Sequence, residues 1–372
     1  MAQTRPISAN APARSANAQN VSFVASLREN WLYWLILIVL VLFPFIIGWL
    51  SGDSPFGTPR GDRMVMRGES VYAQSVLINI FALSVLVMSY NLMFGFTGVI
   101  SFGHALFFGL GGYLMGIILE FGGMDPNIGL IVALVVVLVV TGILGFIVGI
   151  VSLRLRGIYF AIFTLAIAEM GWLFFRGLSI TNGEDGLNVA SLPEWLDPAR
   201  NRIMVYYVGL ALFVLTFVLI RRLVNSPVGS VFQAIRENEE RAQVLGYNTL
   251  HYKLFSITVA GMLAGLAGML LAIMNKEARP EILNVSVTVD ALLMTIIGGV
   301  GTFTGPVIGA SGLHLLDTFL REAVVTIGPI TIDIGERWTL ILGFIFVLVV
   351  LIFPYGMVGT WQRLRMRFKR SK

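Results

Sequence analysis

Residues 129–152 read GLIVALVVVLVVTGILGFIVGIVS and hold no charged side chain. A membrane crossing needs about 20 consecutive apolar residues, so this stretch predicts a helix that spans a bilayer. Working outward from it, uncharged stretches recur over 31–50, 75–95, 102–119, 203–220, 254–274 and 338–353, and 158–175 is interrupted only by Glu169. Two further segments, 288–299 and 306–320, are short, and a glycine-rich run over 298–306 lies between them. Of 372 residues 56% are apolar and 13% charged, with a mean hydropathy of +0.83, against about 25% charged in a soluble domain. The expected fold is all-α, a polytopic membrane protein with about ten transmembrane helices. A soluble enzyme on a single anchor is excluded, because one span cannot lift the whole chain's hydropathy.

Charge sets the expected orientation, since short cytoplasmic loops carry excess Lys and Arg. Arg154 and Arg156 mark one such loop, and Arg221, Arg222, Arg236, Arg241 and Lys253 mark another. Loops 51–70, 120–128, 176–202 and 275–287 show no such excess. The net charge of +5 comes mostly from Arg363, Arg365, Arg367, Lys369, Arg370 and Lys372. A basic tail after an apolar span reads as an orientation signal, with membrane lipid and not nucleic acid as its surroundings. Both ends then lie in the cytosol and the number of crossings is even: ten if 288–299 and 306–320 both cross, eight if they form one re-entrant hairpin. Residues 1–30, rich in Ala, Ser, Asn and Gln, read as a disordered cytosolic tail. The stretch 31–50 is too long for a secretory signal and is expected to remain as a span.

Zero cysteines exclude disulfides, cysteine-ligated zinc, iron–sulfur clusters and thiol nucleophiles. The histidines, at 104, 251 and 314, lack ligand spacing, so no metal and no cofactor are expected. No Gly-x-x-x-x-Gly-Lys-[Ser/Thr] loop is present.

Two stretches carry functional information. The first is Phe96-Thr97-Gly98-Val99-Ile100-Ser101-Phe102-Gly103-His104, followed by Gly109, Gly111, Gly112 and Gly116. Glycine and hydroxyl residues at membrane depth either pack helices closely or mark a broken helix whose free backbone faces protein or water. Phe303-Thr304-Gly305 echoes Phe96-Thr97-Gly98 in the other half of the chain, and paired breaks point to a translocation site. Thr97, Ser101, His104, Glu169, Thr302 and Thr304 are therefore the candidate path residues. Glu169 serves equally well as an inter-helix contact, and Asp290 reads as a helix cap. The uncharged spans hold no paired acid and base, which favours a net-neutral solute.

The second stretch runs over 227–246. Val231, Ile235, Ala242 and Leu245 fall on one helical face, with Arg236, Glu237, Glu240 and Arg241 on the rest. This predicts one amphipathic helix over 229–246. Its acids disfavour an anionic lipid surface and favour a protein partner.

The run Glu240-Arg241-Ala242-Gln243-Val244-Leu245-Gly246 resembles the Glu-Ala-Ala-x-x-x-Gly signature of ABC-importer permeases, with Arg at the second position. Together with Asn91–Tyr113, Leu153–Tyr159, Thr181–Leu187, Ala234–Glu239 and Ile297–Ala310, it resembles the larger permease subunit of branched-chain amino-acid ABC importers, the LivM type, over about 75–360. The resemblance implies a transmembrane permease domain over 31–356, a cytosolic coupling loop over 221–253 and a basic cytosolic tail over 357–372. It implies ATPase coupling through Arg236, Glu237, Glu240, Ala242 and Gly246. It also implies a second homologous permease, two ABC ATPase subunits that hydrolyse the ATP, a periplasmic or lipid-anchored binding protein, and a place in the bacterial cytoplasmic (inner) membrane. No catalytic residue is expected in this chain. Permeases for urea or short amides are similar, so these solutes are the alternative. A secondary transporter or channel is the rival of a different class, and the acidic loop helix and the lack of an intramembrane ion relay count against it. A membrane-embedded enzyme ranks third, because His104 and Glu169 lack a paired base or metal cluster.

Overall fold

The computed structural model describes residues 31–60, 63–155, 157–322, 324–327, 330–333 and 337–361. The expected tails over 1–30 and beyond 361 lie outside the described residues. Every long uncharged stretch forms a helix: α1 (Trp31–Ser51), α2 (Glu69–Asn91), α3 (His104–Phe121), α4 (Pro126–Ser152), α5 (Ile158–Gly177), α6 (Arg202–Val224), α9 (Thr249–Asn275) and α12 (Trp338–Ile352). With its continuation through Phe96 in α2, and through Trp361 in α12, each of these eight is long and apolar enough to cross a membrane. Between them lie α7 (Pro227–Glu237), α8 (Glu239–Val244), α10 (Val285–Gly298) and α11 (Gly305–Glu322).

The helices differ in what they bury. In α3 72% and in α9 67% of the apolar window is buried, against 11% in α1 and 6% in the helix that starts at Trp338. The first two form the centre with α2, while α1 and α12 expose most of their apolar side chains, as a lipid-facing span does, with only a stripe of α1 through Pro44 and Gly48 against the bundle. Close approach explains the glycines of α3. A Cβ on Gly111 would overlap the Gly265 carbonyl, and one on Gly268 of α9 would overlap the Phe108 carbonyl. Small residues here let two backbones touch, so this part of the glycine-rich stretch serves packing.

The short segments form an antiparallel pair, with Gly298 against Gly305 and Gly309 against Met294. At 1.5 Å per residue the 14 residues of α10 extend about 21 Å, less than the roughly 30 Å of hydrocarbon. Asp290 does not cap this helix. It lies inside α10, and Asn284 is the N-cap, its side chain accepting from Ser286 N at 2.9 Å. The sequence reading missed this because Asn284 is equally suited to capping and stands before the apolar run proper. Near the end of α11, Arg321 donates to Asp317 at 3.0 Å, so this segment does carry an acid–base pair.

The loops sort by charge between the two ends of the bundle. Arg154 and Lys253 line one cavity, which puts both basic loops at the same end. At the other end the Glu120 carboxylate accepts from Ala190 N (2.6 Å), Ser191 N (2.7 Å) and Ser191 Oγ (3.2 Å). There Leu187–Asn188 (β1) pairs antiparallel with Glu277–Ala278 (β2), and Lys276 Nζ binds Asp197 at 3.1 Å. The 179–185 stretch forms two 3-10 turns, with Glu184 paired to Arg176. Three of the loops without a basic excess, 120–128, 176–202 and 275–287, are thus tied into one ordered cap.

Candidate translocation and coupling site

The first break follows from the way α2 ends. Residues Leu92–Phe96 widen into a π turn, and Val99 N reaches back to Met93 O at 3.0 Å, leaving backbone groups without their usual helical partners. Buried carbonyls and amides need replacements, and hydroxyls supply them. Ser256 Oγ on α9 donates to Leu92 O at 3.3 Å, and Thr97 Oγ1 donates to Ser256 Oγ at 2.9 Å. Ser101 Oγ accepts from Gly103 N at 3.1 Å, Thr164 of α5 from Phe102 N at 3.0 Å, and Thr288 of α10 from Ala105 N at 2.8 Å. Thr97 and Ser101, expected to line a path, therefore spend their hydroxyls on closing the break.

His104 opens α3 and is 1% exposed. Its Nε2 lies 2.8 Å from Ser89 Oγ, and Ser89 donates its own proton to Leu86 O at 2.6 Å. The hydroxyl proton being committed, His104 Nε2 carries the hydrogen and donates. Tyr90 and Phe107 meet the ring edge-on at 5.4 and 6.2 Å. Glu169 stands apart from this group. It is half-buried on α5 and has no hydrogen bond or ion pair among the described residues.

The second break, Gly299–Thr304, is closed by its own side chain. Thr302 Oγ1 donates to Gly299 O at 2.7 Å and accepts from Gly305 N at 3.1 Å, capping α11. Thr304 O accepts from Ile308 N at 3.1 Å. The two Phe-Thr-Gly echoes meet in space. Phe96 and Phe303 lie 5.5 Å apart, Asn91 Nδ2 donates to Thr302 O at 3.0 Å, and Gly301 N donates to Asn91 Oδ1 at 2.9 Å. Asn91, which the sequence reading did not single out beyond its place in the motif, is the side chain that joins them.

The amphipathic segment is two helices and not one. Asn238 adopts an extended conformation (φ −162°) and its side chain accepts from Arg241 N at 2.8 Å, so it ends α7 and caps α8. Periodicity alone could not reveal this, because Asn is the only local sign of a cap and the apolar spacing continues through it. The inner face is Val231, Phe232, Ile235 and Ala242, with Tyr252 against it. Leu245 does not join that face: it is 68% exposed, beside Val244 at 88%. Glu237 and Glu240 are also exposed, whereas Glu239 binds Lys253 Nζ at 2.6 Å. The chain leaves α8 in a Schellman motif, with Tyr247 N to Ala242 O at 3.2 Å and Gly246 N to Gln243 O at 2.9 Å. Gly246 has φ +90°, a region that disfavours any side chain.

Arg236 points the other way from its neighbours. Its Nη1 donates to the Gly95 carbonyl in the first break. A cavity of about 1060 Å³ joins the two regions, with Gly98, Ile100 and Phe102 on one wall and Glu239, Glu240 and Gln243 on another. No group of His, Asp and Glu among the described residues is arranged to hold a metal.

Residues 72–351 match the family described as the permease component of branched-chain amino acid transport systems. The high-affinity branched-chain amino acid transport system permease protein LivM of Salmonella typhimurium is 27% identical over 335 residues, covering 83% of this chain and 74% of that protein. LivM of Escherichia coli K12 is 27% identical over 325 residues, covering 79% and 71%. The probable permease LivH of Methanocaldococcus jannaschii is 29% identical over 165 residues, 41% of this chain and 50% of that protein. A helical membrane bundle with two joined breaks, together with a match over most of the chain, places this protein in the branched-chain amino-acid transport permease family, as a member of the LivM type.

Proposed function

We propose that this chain is one of two permeases of an ATP-driven importer for branched-chain amino acids in the bacterial cytoplasmic membrane, crossing eight times, with α10 and α11 as a re-entrant hairpin and both termini cytosolic. ATP is bound and hydrolysed by two partner ATPase subunits, and a binding protein outside the membrane delivers the solute to the cap at the opposite end from Arg154 and Lys253. The observation that carries this reading is the exposed tip of α8. Two large apolar side chains, Val244 and Leu245, stand in the open at the basic end of the bundle, flanked by Glu240 and Gly246. Such a patch fits a protein groove better than water. Glu237, Glu240, Ala242 and Gly246 shape this docking element.

The joined breaks, with Thr97, Ser101, His104, Thr302 and Thr304, form the gate region of the path. Glu169, half-buried without a partner, faces the second permease. The cavity between Phe102 and Gln243 is the exit toward the cytosol. Net-neutral zwitterions pass because the path offers weak polar contacts and no strong charge trap.

The test is uptake of radiolabelled leucine by the complex reconstituted with its partner subunits. ATP-dependent uptake competed by isoleucine and valine is the expected result. Competition by urea alone would remove the amino-acid assignment, and uptake that persists without ATP would remove the importer mechanism.

A further inference from the structure

We propose that Arg236 is a positioning residue that ties α7 to both helix breaks at once, so that movement of the basic-end loop shifts the two breaks together. This inference rests on the importer reading above. The geometry starts at the Gly95 carbonyl. In a regular α-helix it would accept from the amide four residues on, but that amide, Val99 N, is bonded to Met93 O instead. The π turn therefore leaves an acceptor, and the guanidinium of the otherwise exposed Arg236 fills it with a charge-assisted, part-buried hydrogen bond.

The same guanidinium meets the second break. A Cβ on Gly301 would overlap Arg236 Nη1, and one on Gly98 would stand 3.3 Å from Arg236 Cγ. Both glycines have positive φ, +75° and +80°, so the backbone at each point is shaped to admit the arginine. Asn91, 2% exposed, then locks the two breaks to each other through Gly301 N and Thr302 O. On the far side, α7 is held to α9 by Phe232, fully buried against Tyr252 and Phe255. One side chain thus connects a helix next to the docking tip with two segments that belong to opposite halves of the chain. Arg236, expected in the ATPase-coupling element, is exposed, and its guanidinium also reaches the Gly95 carbonyl.

The experiment compares the wild type with Arg236→Ala, Arg236→Lys and Gly301→Ala in the reconstituted complex. Uptake and ATP hydrolysis are measured together, and backbone hydrogen exchange is followed over 97–103, 299–304 and 227–244 with and without vanadate trapping. In the wild type, trapping is expected to change exchange at both breaks. In Arg236→Ala the change at α7 and α8 persists while that at both breaks is lost, and solute moved per ATP falls by about tenfold, within the usual 5–150-fold range of site-to-site coupling. Gly301→Ala, whose Cβ would displace the guanidinium and also press on the Gly95 carbonyl at a strained φ, gives at least as large a loss, and Arg236→Lys, with one donor instead of a fork, is intermediate. Wild-type solute moved per ATP in Arg236→Ala overturns the proposal, as does a loss of uptake that only follows a loss of assembled complex. If the wild-type complex itself shows no ATP-dependent uptake, the importer reading fails, and exchange in the isolated permease decides the tie. Arg236→Ala must then loosen both breaks together; loosening one or neither overturns it.

Discussion

Two helices of one loop, α7 and α8, have opposite surroundings. The first buries Val231, Phe232 and Ile235 and sends Arg236 inward to Gly95. The second buries only Ala242 and leaves Val244 and Leu245 open. Asn238 divides them, and the Lys253–Glu239 pair with the Gln243–Thr249 bond (3.0 Å) ties the base of α8 to the start of α9. The difference teaches that an amphipathic stretch can serve two surfaces in series: an inner half anchored to the membrane bundle and an outer half held out for a partner. Variants of the inner half are then expected to act through stability, and variants of the outer half through transport.

The largest effect is expected for Phe232→Ala. Removing a fully buried aromatic ring costs about 3–5 kcal/mol, so the purified permease should unfold at a clearly lower temperature. A Tm equal to the wild type would show that α7 is not an anchor. Gly246→Val tests the other half. A Cβ there meets nothing within 4 Å, yet a β-branched residue at φ +90° is strained by about 1–3 kcal/mol. Uptake is expected to fall by roughly tenfold, matching strain of that size, while the protein still reaches the membrane and melts within a few degrees of the wild type. A large Tm loss with normal uptake would reverse the assignment. Asn238→Ala acts at the divide. Loss of an N-cap costs about 1 kcal/mol, so uptake should drop a few-fold with Tm nearly unchanged, and Asn238→Asp, which keeps the acceptor, should restore it. Equal losses in both variants would show that the cap is not what separates the two helices.

The bundle was legible because apolar length is a strong signal: each uncharged stretch became a helix, and the charge asymmetry of the loops reappears as two distinct ends. The breaks were legible too, since Phe-Thr-Gly at membrane depth has few other uses. What the residues do inside the breaks was not. Thr97, Ser101 and Thr302 look like groups for a solute, but their partners, Ser256, Gly103 and Gly305, become visible only once the backbone has left the helix. Arg236 and Glu240 share one polar face by periodicity and both are exposed, and only the fold shows that the Arg236 guanidinium reaches the Gly95 carbonyl. The Asn91 link spans about two hundred residues of sequence, and no local pattern encodes it. Membership of the family accounts for the order of the motifs, while the hydrogen bonds account for why glycines and hydroxyls stand where they do.

The most direct test of the outer half is cross-linking from Leu245. The chain has no cysteine, so Leu245→Cys supplies a unique thiol at the tip of α8 in the assembled complex. With a short bifunctional thiol reagent, a covalent product with the ATPase subunit is expected, along with protection from an impermeant thiol reagent added outside intact cells. Labelling from outside, or an assembled and transporting complex that yields no product with the ATPase, would contradict the account.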